Sequence, residues 1–290
     1  MTKVSPPPET AEEEVLSHLE QRGFRIRRRS PIHKTLLATL PPDQYSSFYR
    51  LLGHYGFRIF LRDVIRDRRR IRLASLCRYL SRSQARRHMD LLLDMGIVRR
   101  RRAGLELAVG EVDSFGDTLE WYVAQILLRE FAIPAIWGIT PAGTAHGGDF
   151  DVLAVAAGRL AYLEVKSSPP KHVEESEVAA FLDRIEDVGP DVALFIEDTA
   201  LRMKDKIVPL FEAALSKRPA WAAVAACRPR RLKDELFQVA GRIFIVNGDP
   251  DLARNIGFCL RSFFRSGWSA RLRMERRPGK APPRKAGETS

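Results

Sequence analysis

Two runs constrain this chain more than any other stretch: Asp149-Phe-Asp-Val-Leu-Ala-Val-Ala156 and, after a glycine at 158, Leu160-Ala-Tyr-Leu-Glu-Val-Lys166. Both are apolar, and Ser167-Ser-Pro-Pro170 stops the second. Two such runs with a short glycine-containing connection predict a β-hairpin. Side chains alternate faces along a strand, so Glu164 and Lys166 share one face while Val165 points the other way. Pairing across the hairpin sets Asp151 near Glu164. Charged groups inside apolar strands are costly unless paired or bound to a metal. An oxygen donor set of this kind suits Mg²⁺ (or Mn²⁺), which takes hard oxygen ligands octahedrally and keeps waters for chemistry. Lys166 would orient or help deprotonate an attacking water and offset charge building on a phosphorane.

Gly147-Gly-Asp-Phe-Asp-Val-Leu-Ala154 followed by Glu164-Val-Lys166 resembles the PD-(D/E)xK phosphodiesterase superfamily. The form is nearest to the branch of RecB-type nucleases and archaeal Holliday-junction resolvases. The resemblance covers roughly residues 115–200. It implies an α/β, restriction-endonuclease-like mixed sheet flanked by helices, a divalent-metal site, and a further glutamate on the helix before the first strand. Gly116-Asp-Thr-Leu-Glu-Trp-Tyr-Val123 supplies Glu120. Helical geometry aligns Glu120 with Ala124, Leu127 and Phe131, an otherwise apolar stripe. The implied catalytic set is Glu120, Asp151, Glu164 and Lys166, with Asp151, Glu164 and Glu120 holding the metal.

The pattern departs from the family at two points. Phe150 precedes Asp151 in place of a proline, and the helix expected at about 173–188 carries no glutamine-plus-tyrosine motif. The second departure argues against a strict RecB-type exonuclease. Asp149 shares a strand face with Asp151 and competes for the ligand role; Asp151 lies deeper in the apolar run and is preferred. His146, in a glycine-flanked loop, reads as a solvated side chain or a phosphate contact. Glu130 reads as a surface charge.

The formal charge is +12 over 290 residues, which favours a polyanionic partner. It is unevenly spread. Residues 22–102 hold about twenty Lys/Arg against about five Asp/Glu, whereas roughly 110–200 is acidic. Carboxylates for a metal lower a domain's own affinity for phosphate, so a neighbouring basic arm would supply the binding. Within that arm, Arg72–Leu80 is amphipathic, Ser81-Arg-Ser83 offers helix N-caps, Gln84–Met95 is a second amphipathic run, and Gly96 closes it. Two short strands around Ala103-Gly104 follow. This succession resembles the winged-helix family, whose second helix enters the major groove while the wing tracks the backbone. The implied DNA contacts are Arg82, Ser83, Arg86 and Arg87 on the helix and Arg99, Arg100, Arg101 and Arg102 on the wing. A protein-binding winged helix, with Asp90 and Asp94 in local ion pairs, is the competing reading.

The expected division is a disordered 1–9, a basic winged-helix region over 10–109, a nuclease domain over 110–268 and a basic disordered tail over 269–290. Extra strands and helices near Trp221–Ala226, Gly241–Val246 and Pro250–Phe264 would lengthen the sheet or pair subunits in a homodimer. Cys77, Cys227 and Cys259 are too widely spaced for a zinc site or a disulfide framework and read as small buried residues of a cytoplasmic protein. No stretch is apolar enough for a membrane span. The sequence thus reads as a metal-dependent DNA nuclease, an endonuclease on structured or branched DNA. Its rivals are an inactive nuclease-fold DNA-binding regulator or scaffold and, third, an RNA or defence nuclease.

Overall fold

The computed structural model describes residues 8–76, 80–102, 104–221 and 228–275. In chain order these form α1 (Pro8–Gln21), β1 (Arg25–Arg29), α2 (Tyr45–Leu52), α3 (Tyr55–Arg66), α4 (Arg82–Asp94), β2 (Val98–Arg101), β3 (Gly104–Leu107) and α5 (Gly116–Phe131). There follow β4 (Ala135–Ala142), β5 (Phe150–Ala156), β6 (Arg159–Lys166), α6 (Glu175–Val188), β7 (Val192–Glu197), α7 (Ile207–Ser216), β8 (Arg230–Lys233), β9 (Leu236–Val239), β10 (Ile243–Asn247) and α8 (Leu252–Glu275).

The hairpin is β5–β6. Ala156 pairs with Arg159, and Ala157 and Gly158 between them both have positive φ, as a two-residue type I′ turn requires. Around it lies a mixed eight-stranded sheet in the order β1-β4-β5-β6-β7-β10-β9-β8. β4, β5 and β6 are antiparallel neighbours, and β6–β7–β10 run parallel. The central strands are buried on both faces, which explains their nearly unbroken apolar character. Val152, Ala154, Leu163, Val165, Leu194 and Ile196 pack with α5 and α8, while Leu153, Val155, Tyr162 and Phe195 pack with α6 and α7. The class is therefore a mixed α/β protein with a large sheet flanked by helices.

The basic segment departs from a simple arm in two ways. Arg25–Arg29, whose sequence suits a strand or a loop, pairs with β4 as the outermost strand of the large sheet. Leu61, Val64, Ala85, Met89, Leu92 and Val98 belong to the same hydrophobic core as α5 and one face of that sheet. α4 begins at the Ser81 cap, where Ser81 and Gln84 form a reciprocal capping box. β2 and β3 pair antiparallel as expected.

Several boundaries shift. The amphipathic run after Arg72 forms only a 3-10 turn over Leu73–Leu76, with 77–79 outside the described residues. The helix expected from Pro41 to Tyr55 is broken at Gly53-His54, where α2 ends and α3 starts. The strand expected at Trp221–Ala226 falls mostly outside the described residues, and Pro219–Trp221 is a 3-10 turn. α8 runs through Glu275, past the expected end at Phe264, so 269–275 are helical and not tail. Residues 1–7 and 276–290, Cys77 and Cys227 lie outside the described residues, and Cys259 is buried as expected.

Candidate active site

β5 and β6 bring the sequence motifs together. The Val152–Leu163 register, carried one step along each strand, sets Asp151 opposite Glu164. Asp151 Oδ2 accepts the Val165 backbone N–H at 2.7 Å, fixing the aspartate between the two charged residues of the next strand. Glu164 is 2% exposed. Its Oε1 lies 2.9 Å from Lys166 Nζ, and its Oε2 accepts from the Tyr162 hydroxyl and, at 3.1 Å, from Arg184 of α6. Lys166 Nζ also reaches Glu177 of α6 at 3.1 Å.

Glu120 approaches from α5. It is half-buried, and the sheet gives way to admit it: Gly138 in β4 has φ +57°, and a Cβ there would collide with Ser30 and come within 3.5 Å of Glu120 Oε2. Only glycine is comfortable in that backbone region, so the irregularity is written into the sequence at this position. Burial, then the charges of Asp151, Asp117 and Glu164, push the Glu120 carboxyl up to about 10. Asp151 is held well above the ordinary range by burial and by Glu164, although the Val165 N–H, Lys166 and Arg184 pull the other way. Carboxylates that raise one another's pKa form a site short of positive charge. Burial alone would lower Lys166, but Glu164, Asp151 and Glu177 reverse that and hold it as an ammonium above its usual range.

The four predicted catalytic residues thus converge. Asp149 does not join them: it is exposed and takes Thr140 and Arg28 as partners, Arg28 Nη2 lying 2.7 Å from its Oδ2. Partial burial would raise its pKa, yet these two donors hold it below the ordinary value. His146 is tied to Asp187 at 2.9 Å. It also stands with Asp183 and Glu186 in a group whose ligand atoms lie within 4.8 Å of one another. Arg218 already occupies that group, bonding both carboxylates, and Trp221 Nε1 donates to Glu186 at 2.6 Å. Glu130 is an acceptor for the Tyr49 hydroxyl at 2.7 Å.

Sequence reasoning missed Tyr162, Glu177, Arg184 and Glu197. Glu177 and Arg184 are seven residues apart, two turns of one helix face, so an amphipathic reading of α6 that tracked charge could have paired them. Arg184 packs over Gly148, where a Cβ would lie 3.2 Å from its Nε; this gives the second glycine of the motif its reason. Glu197 ends β7 in register with Lys166 and is 0% exposed. Neither of its carboxylate oxygens has a hydrogen-bond partner. Burial pushes it up to about 9, with Lys166 the cation that pulls it back most.

On the basic segment, Ala85, Met89 and Leu92 face the core while Arg82, Ser83, Arg86 and Arg87 are exposed. Arg99 and Arg101 both bond Glu106 Oε1, at 2.6 and 2.7 Å, and hold that carboxyl below its ordinary range. Arg82, Arg86, Arg87, Arg100 and Arg102 pair with no carboxylate among the described residues, and neither Asp90 nor Asp94 has a cationic partner there. No described helix is long and apolar enough to cross a membrane.

No family model matches the sequence, and no curated protein matches it. Among solved structures, the chain is similar to protein VC1899 from Vibrio cholerae, at 18% identity and TM-score 0.38 over 66% of this chain and 53% of that one. It is also similar to Can2 from Sulfobacillus thermosulfidooxidans, solved in complex with cyclic tetra-adenylate, at 16% identity and TM-score 0.36 over 63% of this chain and 51% of that one. The chain spans about half the length of both. What fold and site define by themselves is a mixed α/β protein with a buried carboxylate–lysine cluster at the heart of its sheet.

Proposed function

We propose that the protein is a metal-dependent nuclease of the PD-(D/E)xK type that cuts DNA, with a winged-helix module over the basic segment. The observation that carries this reading is the convergence of Glu120, Asp151 and Glu164, two of them pushed up by mutual repulsion, beside Lys166. That donor set is all oxygen, half-buried to buried and deficient in positive charge, which fits a hard divalent cation. Asp151, Glu164 and Glu120 would hold Mg²⁺ or Mn²⁺, which when bound supplies Lewis acidity and lowers the pKa of a coordinated water.

The remaining roles fall to the chain itself. Lys166, kept cationic by its carboxylate neighbours, offsets charge developing on the phosphoryl oxygens and orients water. Its elevated pKa argues against the proton-abstracting half of its expected role. Arg184 and Tyr162 fix Glu164 in place by bonding its second oxygen. Phosphate affinity comes from Arg82, Arg86, Arg87, Arg100 and Arg102, which carry no carboxylate partner. Arg99 and Arg101 are largely consumed by Glu106 and contribute less than the sequence implies. Arg25 and Arg27 on the exposed sheet edge add to the basic surface on the flank that bears Ser30 and Gly138.

The second reading, a DNA-holding regulator without activity, draws on one observation: Lys166, Arg184 and Tyr162 already satisfy Glu164. Calorimetric titration with Mn²⁺ separates the two. The nuclease reading expects binding by the wild type that is lost in a folded Asp151→Asn variant. Absence of binding by the wild type would leave the regulator.

A further inference from the structure

Glu197 is the buried group that the proposed chemistry does not use. A carboxylate with neither oxygen bonded is rare inside a protein and needs an explanation. β7 runs parallel to β6 with Lys166 and Glu197 as direct register partners, and the Asp198 N–H donates to the Lys166 carbonyl at 2.9 Å. Residues paired in this way point to the same face of the sheet, so Glu197 lies on the face of Glu164 and Lys166. The other charged groups around it are Glu177 of α6, Arg62 of α3 and its own neighbour Asp198. Arg62 is already committed to Asp198, through the side chain and, at 2.8 Å, the backbone carbonyl. Lys166 is the cation with a choice.

That choice matters because the ammonium of Lys166 lies 2.9 Å from a Glu164 oxygen that the proposed metal site requires. For Glu164 to serve as a ligand, Lys166 needs another anion on the same sheet face. We infer that Glu197 is a positioning residue that takes Lys166 when Glu164 is engaged by a divalent cation, freeing the Glu164 oxygen and holding the ammonium beside the site. The inference rests on the metal-dependent reading. It adds an alternative anchor, one strand away, for the lysine of the motif.

A double-mutant cycle read by Mn²⁺ calorimetry in the intact chain tests it. Glu197→Gln should weaken Mn²⁺ binding about tenfold, the scale on which groups behind the ligands act. In a Lys166→Met background, where no ammonium competes for Glu164, the same substitution should leave affinity unchanged. Glu197→Leu serves as a second variant should the amide perturb folding, and thermal melting without metal checks that each protein is folded. Equal Mn²⁺ affinity for wild type and Glu197→Gln overturns the proposal while leaving the nuclease reading standing. So does an equal loss in both backgrounds, because Glu197 would then act through Arg62 or the fold. A wild type that binds no Mn²⁺ defeats the metal-dependent reading itself, and this proposal with it.

Discussion

Glu120 shows at the scale of a single residue how a site can be destabilised in order to work. Its carboxyl is pushed up to about 10 in the fold, against an ordinary value near 4.3 in an unfolded chain. Below about pH 4 both states hold the proton and no stability is at stake. As pH rises, the unfolded chain releases its proton while the folded one retains it, so stability falls with pH until about 10. Glu120→Gln should therefore stabilise the metal-free protein at pH 7 by about 1–3 kcal/mol, on the scale of 1.36 kcal/mol per pKa unit. The gain should shrink to nothing near pH 4 in thermal melts with EDTA; a gain independent of pH would mean that repulsion is not its source. Added Mn²⁺ should offset the penalty, stabilising wild type more at pH 8 than at pH 5.5. Asp151, Glu164 and Lys166 were legible in the sequence because strand alternation and a short hairpin are local. Glu177, Arg184 and Glu197 were not, because α6 packing and the parallel β6–β7 register are decided by the chain's return across the sheet.

Among the elements, α3 carries a role that its sequence did not announce. Arg58 is 1% exposed and bonds Asp198, just past β7, through Nε and Nη2 at 2.7–3.0 Å, while its Nη1 donates to the Leu52 carbonyl at 2.6 Å. Burial would lower its pKa, but Asp198 more than compensates and the guanidinium stays charged. Arg62 adds a second contact to the same aspartate. Removing one member of such a buried pair strands the other, so Arg58→Ala should cost about 3–5 kcal/mol in urea unfolding. A loss under 1 kcal/mol would mean that α3 is held by its apolar contacts alone. In the sequence Arg58 is one of many arginines, and only its place among Phe57, Phe60 and Leu61 marks it as a different kind of charge. α4 was more transparent, since the Ser81 cap and the Ala85, Met89 and Leu92 spacing fix its buried face locally. The preceding run shortened to a 3-10 turn over Leu73–Leu76, beside the single bridge that ties Ile71 to Leu105.

Across the whole molecule, the charge asymmetry seen in the sequence survives, but the basic segment is not detachable. β1 is an edge strand of the sheet, and α3 and α4 share its core, so cutting away residues 1–108 would damage the site as well as the basic surface. Surface substitutions are the sounder probe. Replacing Arg86 and Arg87 by alanine should weaken DNA binding and lower the slope of log K against log salt by about 1 per lost phosphate contact, without shifting the melting temperature. An unchanged slope would place the DNA elsewhere. Strand order and the partnership of β1 with β4 are long-range facts that no local pattern encodes, which is why the hairpin was readable and its position in the sheet was not. The central claim, metal-dependent cleavage, is tested most directly with single-stranded, duplex, flapped and four-way DNA and RNA, each offered with Mg²⁺, Mn²⁺ or EDTA to wild type and Lys166→Ala. The account predicts metal-dependent cutting of DNA by the wild type, abolished by EDTA and by the substitution. Tight, salt-sensitive DNA binding with no cleavage of any substrate in either metal would contradict it.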